Sequence, residues 1–443
     1  MSSIKRRHFL QAAGSTLAAI GLSQIDFLTQ ADRYGKVLAQ STPRKLALLV
    51  GINQYQSIRG LNGCLNDVKL QKHLLIHRFG FNPQDIYEVS DETDLKPTRD
   101  NILSAFDEYL IKQAKPGDVV VFHYSGHGDL VRDPNPIRDA ACENSICQFN
   151  GTLVPMNAAA IGETASEVIV PDIMGRTLFL LMSAIQTENL TVILDSCHSG
   201  AGTRGNVVVR AAQSRTTRAG QTSVASPAEQ EFQESLRSRF YPSFADFQNA
   251  RQAGIAKGVA LGSAQRNQEA IDAVIGSAPN AINAGGFTYL LTRYLWQQTS
   301  SDTAETAHAR LELATNSLSE TARNGISQIP TFEYQPNSTH NRKPLYFLPT
   351  SRIAAEAVIT NADNMQQIEF WLGGVVSQSF ENNGSGNTFT LLDANGNAVG
   401  EIEQTDRRGF HGYGKLTKGR SQDAVNGRLL REHIVGLPTD LSL

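Results

Sequence analysis

The sequence predicts an α/β fold: a mainly parallel sheet with helices on both faces, followed by a small β-rich segment. Three observations carry this. Short apolar runs at 45–52 (KLALLVGI), 86–89, 118–124 (DVVVFHY), 191–194 and 257–262 (KGVALG) have the unbroken hydrophobicity of strands buried on both faces. Stretches with the apolar period of helices lie between them, the alternation expected of a parallel sheet. Two of the runs end abruptly in reactive polar residues, at the strand ends where ligands bind in such sheets. The 443 residues suggest roughly two to three domains, and 40% hydrophobic with 19% charged residues suits a folded chain. A net charge of −3 offers no basic field for nucleic acid. Four cysteines are too few for a disulfide scaffold and lack the paired C-x-x-C spacing of a zinc site. No apolar stretch is long enough to span a bilayer.

Residues 1–39 are set apart. Lys5-Arg6-Arg7-His8-Phe9-Leu10 precedes a weakly apolar run, 12–25, and Val37-Leu38-Ala39 offers a small-residue cleavage pattern before Gln40. The stretch resembles a twin-arginine export signal, with Lys5 where Ser or Thr is commoner. A basic amphipathic helix of the fold is the plainer alternative. The signal implies export in a folded state, to the periplasm or an equivalent compartment.

The folded part then runs in order. Strand 45–52 leads to a segment containing LNGCLND and to a helical pattern through Leu70, Leu74, Leu75 and Phe79 that stops at Gly80. Strand 86–89 follows, then an amphipathic helix over 98–115 with Ile102, Leu103, Phe106, Tyr109 and Leu110 on one side. Pro116-Gly117-Asp118 closes it and starts the next strand, in which His123 reads as structural. That strand runs into Ser125-Gly126-His127-Gly128. Residues 129–157 read as an irregular loop holding Cys142 and Cys147; a disulfide and two separate thiols both stay open. A helical pattern over 172–186 precedes the strand ending in Asp195-Ser196-Cys197-His198-Ser199-Gly200.

Cys197 is the focus of the chain. A lone strand-end cysteine is ordinarily a small buried residue, but His127 stands at a second strand end. A thiol needs a base to become a thiolate nucleophile, and a strand-end histidine supplies one. Cys197 and His127 are therefore expected to form a catalytic dyad. Asp195, two residues before Cys197, projects to the same face while the chain stays extended.

HYSGHG followed by DSCHSG resembles the metacaspases, and among them the bacterial orthocaspases, which are caspase-fold cysteine peptidases. The resemblance covers about 45–349, thinly in the variable loops. It implies a pocket built by Cys64, Asp67, Ser125 and Asp195 for the substrate residue before the cut, the first two from a matching G-C-x-x-D segment. On spacing alone, Cys64 and Asp67 only share a face of a helix start, where a carboxylate is favourable with the helix dipole. The resemblance also implies an oxyanion hole from the N–H groups of Gly128 and Cys197. Many metacaspases bind calcium through an acidic cluster; here Asp129, Asp133, Asp139 and Glu143 are scattered and 201–210 holds no carboxylate. No cofactor is expected; calcium stays possible but finds no support in these residues.

Past the nucleophile, 201–251 is rich in Ser, Thr, Gln, Ala and Arg, and reads as a solvated linker plus a surface helix at 226–240. It also reads as a processing loop, with Arg204, Arg210, Arg215 and Arg218 the self-cleavage candidates. Strand 257–262, the segment Gly285-Gly286-Phe287-Thr288 opening a helix to Trp296, a helix at 303–323 and a closing strand at 344–348 complete a peptidase domain over 44–350. Residues 351–443 form the β-rich module, with strand alternation at 367–380 and 388–403 around a turn at 393–397. Its apolar, uncapped end suggests a longer chain. His411 reads as packing.

The expected activity is a cysteine endopeptidase acting on peptides or proteins after Arg, less well Lys, and on itself. Two carboxylates fit a guanidinium in bidentate fashion better than an ammonium. The rivals are a caspase-fold binding module without catalysis, and a thiol-dependent acyl transferase. A monomer is the default expectation.

Overall fold

The structure is a computed structural model that describes residues 43–137, 148–196, 208–209 and 220–434, apart from 267, 277–279, 323–326, 350–351, 365, 378 and 381–385. The expected export signal at 1–39, Cys142, Cys147, Cys197, Arg204, Arg210, Arg215 and Arg218 lie outside the described residues.

Strand β1 (Lys45–Gly51) shows why the apolar runs form a two-sided sheet. Leu46, Leu48 and Val50 enter one core and Ala47 and Leu49 the other, the two-residue alternation of a pleated strand. Helix α1 (Cys64–Phe79) follows, then β2 (Ile86–Ser90). Helix α2 (Arg99–Ala105), capped by the Thr98 side chain, continues as a π-helical turn over Phe106–Ile111. Strand β3 is Val119–Ser125. The chain then leaves the sheet for β4 (Gly128–Arg132), β5 (Phe149–Leu153), β6 (Gly162–Glu163), β7 (Glu167–Val170) and β8 (Ile173–Met174), and returns through α3 (Gly175–Ala184) to β9 (Asn189–Asp195). After β10 (Val208–Val209) and β11 (Thr222–Ala225) come α4 (Pro227–Phe240), α5 (Phe244–Ala253) and β12 (Val259–Gly262). The hairpin β13 (Ile271–Ile275) and β14 (Ile282–Gly285) leads into α6 (Gly286–Gln297), α7 (Ala304–Ala322) and β15 (Thr331–Tyr334).

The main sheet has the order β15-β12-β9-β3-β1-β2 and is parallel except at β15. Residues of α1, α6 and α7 cover one face, and those of α2 to α5 the other. This is the expected caspase-like α/β arrangement. The register sets Ser125 opposite both Gly51 and Asp195, so the functional strand ends are neighbours.

Three expectations are corrected. The closing strand at 344–348 is a 3-10 turn over Leu345–Phe347 in which Tyr346 and Phe347 adopt positive φ, incompatible with a strand. Strand β15 takes the edge instead. The loop at 129–157 contains an antiparallel pair, β4 with β5, within a second six-stranded sheet ordered β6-β7-β11-β4-β5-β8. In the 201–251 stretch the expected helix at 226–240 forms as α4, but the described part is not a solvated linker. Its helices α4 and α5 are pinned by buried ion pairs, Glu229 with Arg99 at 2.7 Å and Arg251 with Asp133 at 3.2 Å, and Asp133 also holds Arg176. A composition rich in polar residues hid this because the charges are satisfied inside.

The C-terminal β-rich segment is a closed barrel of β16 (Ala357–Asn361), β17 (Ile368–Trp371), β18 (Thr388–Leu392), β19 (Ala398–Arg408), β20 (His411–Gly419) and β21 (Leu429–Ile434). Closure removes the exposed strand edges that a small open sheet would present. The turn at 393–397 forms as its residues suggest: Asp393 Oδ1 accepts the N–H groups of Asn395 and Asn397, both at 2.8 Å. The barrel is not independent of the sheet. Trp371, Phe370 and Val358 join α1 and α6 residues in one buried cluster. Arg78 of α1 donates to the carbonyls of Ile353 and Gln298, at 2.7 and 3.0 Å.

Candidate active site

The site begins where β3 ends. Gly126 allows a close approach that any side chain would block, since a Cβ there would lie 2.7 Å from the hydroxyls of both Tyr55 and Tyr124. The Tyr124 hydroxyl sits 2.7 Å from the His127 carbonyl and 2.8 Å from that of Val154. Burial pushes both phenols well above their ordinary range, so they act as neutral hydrogen-bonding groups.

His127 is 3% exposed and held on three sides. Its N–H donates to the Tyr55 hydroxyl at 2.7 Å, and its ring lies 4.7 Å from the Tyr55 ring. Its Nε2 is 2.7 Å from the Arg59 carbonyl. A carbonyl can only accept, so Nε2 carries the proton, and Nδ1 is the basic nitrogen of the neutral ring. Neither Tyr55 nor Arg59 was singled out by sequence reasoning. A main-chain acceptor has no residue signature, so nothing in the sequence marks Arg59 for this role.

Gly128 opens β4 opposite Leu153. Val154 donates to the His127 carbonyl at 3.1 Å, which makes Gly128–Leu153 a pair without mutual hydrogen bonds. The Gly128 amide therefore faces away from β5.

Cys64, Asp67, Ser125 and Asp195, the four pocket candidates, are all fully buried at the carboxyl end of the sheet. Ser125 donates to Asp67 Oδ2 at 2.7 Å, and the Gly285 N–H to Asp67 Oδ1 at 2.8 Å. The Thr288 N–H and hydroxyl donate to Asp195 Oδ2 at 3.0 and 2.6 Å. Both carboxylates thus grip the start of α6, where backbone N–H groups and the helix dipole favour an anion. Cys64 begins α1, and its N–H donates to Asn53 Oδ1 at 2.9 Å. His123 contacts the Thr288 hydroxyl at 3.3 Å. Gly285 and Thr288 are the partners that pattern reading missed, though their segment stood out in the sequence.

Residues 45–203 match the family model of the metacaspase, peptidase C14 domain. That stretch is similar to the peptidase domain of metacaspases. Metacaspase-1 of Meyerozyma guilliermondii is 33% identical over 183 residues, 40% of this chain and 41% of that protein. Metacaspase-1 of Debaryomyces hansenii is 36% identical over 160 residues, 35% of this chain and 33% of the other. The match therefore spans less than half the length of these curated relatives. Caspase-1 of Spodoptera frugiperda aligns with 67% of this chain and 88% of its own, at 9% identity and a TM-score of 0.35. All seven candidate catalytic and pocket residues fall inside the metacaspase span, and the barrel falls outside it.

Proposed function

We propose that the chain is a cysteine endopeptidase that cuts after arginine, less well after lysine, with Cys197 as nucleophile and His127 as its base. The observation that carries this reading is the fixed tautomer of His127, two residues past the end of β3, the strand that pairs with β9 leading into Cys197. The Cys197 proton passes to His127 Nδ1, and the thiolate attacks the scissile carbonyl. The C–S bond forms, the C–N bond breaks, and the imidazolium gives its proton to the leaving amine. Water then hydrolyses the thioester, with His127 again the base. The Gly128 and Cys197 amides stabilise the oxyanion, a donor of this kind being worth about 3 kcal/mol.

Specificity rests on Asp67 and Asp195, which present two carboxylates for one guanidinium beside Ser125 and Cys64. The same preference makes Arg204, Arg210, Arg215 and Arg218 substrates of the chain's own site. Self-cut fragments stay together, because β9 and β12 are paired neighbours and α4 and α5 are pinned by buried ion pairs. Export in a folded state by the twin-arginine-type signal belongs to this proposal, and so does activity without calcium. Asp133 supports the latter: it is committed to Arg176 and Arg251.

The test is hydrolysis of fluorogenic peptides varied at the residue before the cut. Arg substrates should exceed Lys substrates, acidic ones should be inert, and Cys197→Ala should be silent and stay whole. Peptide cleavage by Cys197→Ala, or preference for Asp, would refute the proposal.

A further inference from the structure

The segment 53–63 carries both groups that hold the histidine. Tyr55 accepts its main-chain N–H and packs against its ring, and Arg59 accepts its Nε2 proton. This segment has no regular secondary structure. Its own ladder supplies little: Leu61 N–H donates to the Asn53 carbonyl at 2.9 Å, and Asn53 Nδ2 to the Asn62 carbonyl at 3.3 Å.

What fixes its two ends is a matching pair of carboxylates. Asp91, just after β2, accepts the N–H groups of Asn53 and Gln54 on one oxygen, at 2.7 and 2.9 Å. Asp272, on β13, accepts those of Asn62 and Gly63 on one oxygen, at 2.8 and 3.2 Å. Asp272 is 3% exposed and comes so close that a Cβ on Gly63 would lie 2.1 Å from its Oδ1. Each carboxylate belongs to a different part of the fold, far in sequence from the segment it grips. Charge-assisted bonds of this kind are the strong ones, and two to one oxygen set the peptide orientation as well as its place.

We infer that Asp91 and Asp272 are positioning residues for His127, acting through the segment 53–63 and its Arg59 carbonyl. Asp272 adds a second connection. It pairs with Gly285 on one side and with Val208 of β10 on the other, so it joins the histidine's support to the stretch that follows the nucleophile. A change in the pairing of β10 is thereby felt at the histidine.

The inference rests on the peptidase reading, and the test separates the two. The full chain is compared with Asp272→Ala, Asp272→Asn and Asp91→Ala on an arginyl fluorogenic peptide, together with the titration of the His127 ring by NMR of histidine-labelled protein. Misplacing a catalytic group by about 1 Å can cost on the order of a hundredfold in rate. Asp272→Ala should lower kcat by about tenfold to a hundredfold with KM within about twofold, and should shift the acid limb of the pH profile along with the ring titration. Asp272→Asn keeps an oxygen acceptor and should recover much of the rate. Asp91→Ala should act in the same sense. An unchanged kcat and pH profile in Asp272→Ala would overturn the inference, and so would a rise in KM alone, which marks a pocket residue. A loss of thermal stability that Asn does not rescue, with an unmoved ring titration, would also overturn it. If the parent chain cleaves nothing, the peptidase reading fails, and the ring titration still decides the positioning role.

Discussion

His127 and the pair His73 and His77 are all packed among aromatic rings, yet they are held in different ways. His127 gives its Nε2 proton to a carbonyl, so one nitrogen is committed and the other is set as the base. His73 lies between rings instead, 4.1 Å from Trp371 and nearly parallel to it, with the His77 ring 5.6 Å away. Burial pushes His73 down to about 3 and His77 down to about 4. The barrel contributes Trp371 and His411, the latter edge-on to Trp371 and bonded to Glu369 at 2.6 Å. The contrast teaches that burial alone makes a histidine neutral packing material. A well-placed acceptor on one nitrogen is what makes a buried ring a base of defined orientation.

The sharpest way to break the contrast is to remove the rings in turn. His127→Ala should lower kcat/KM on arginyl peptides by at least about a thousandfold, since nucleophile and base act as a unit. Its melting temperature should move little. The converse is expected where the ring only packs: Trp371→Ala should cost about 3–5 kcal/mol of unfolding free energy, read in a denaturant titration. Catalysis by the remaining folded protein should persist. Asp195→Asn probes the middle ground. Asn still serves the start of α6, so the fold should hold while kcat/KM for Arg peptides falls about a hundredfold.

Acid sharpens the comparison further. The folded-state values of His73 and His77 lie below the ordinary 6.5, so their neutral forms are favoured by packing. Their contribution to stability is complete above about pH 6.5 and is lost as pH falls toward 4 and then 3. Lys72, His411 and Glu369 are the other titratable groups near these rings, and Lys72 and His411 oppose a positive charge on His73. Each pH unit lost in that window should cost about 1.4 kcal/mol per histidine. Denaturation midpoints between about pH 7.5 and 4.5 should fall steeply, and His73→Phe should flatten the slope. A slope unchanged in His73→Phe would assign the acid sensitivity elsewhere. The smallest expected effect is that of a chelator, which should leave hydrolysis within about twofold; a strict need for added calcium would remove that part of the proposal.

The same contrast separates what pattern reading can reach from what it cannot. The runs ending at Ser125 and Asp195 were legible because an unbroken apolar strand that turns polar in one step has few other uses. Cys64, Asp67, Ser125 and Asp195 could be brought together only by resemblance, since spacing within one element says nothing of contacts between elements. Arg59 stayed hidden because it acts through its main chain. The 344–348 stretch misled because Pro, Leu, Tyr and Phe have strand-like hydrophobicity, while the edge position went to β15, where Phe332 packs against the core. The closed barrel was unreadable for a similar reason: pairing of β16 with β21 joins residues far apart in sequence.

The central question is whether Cys197 is a nucleophile activated by His127. Reaction of the full chain with a peptidyl arginyl chloromethyl ketone, followed by peptide mass mapping, reads this in one step. One adduct on Cys197, suppressed in His127→Ala and outcompeted by an arginyl substrate, is the predicted result. An adduct on Cys64, Cys142 or Cys147 instead, or labelling of Cys197 at the same rate without His127, would contradict it.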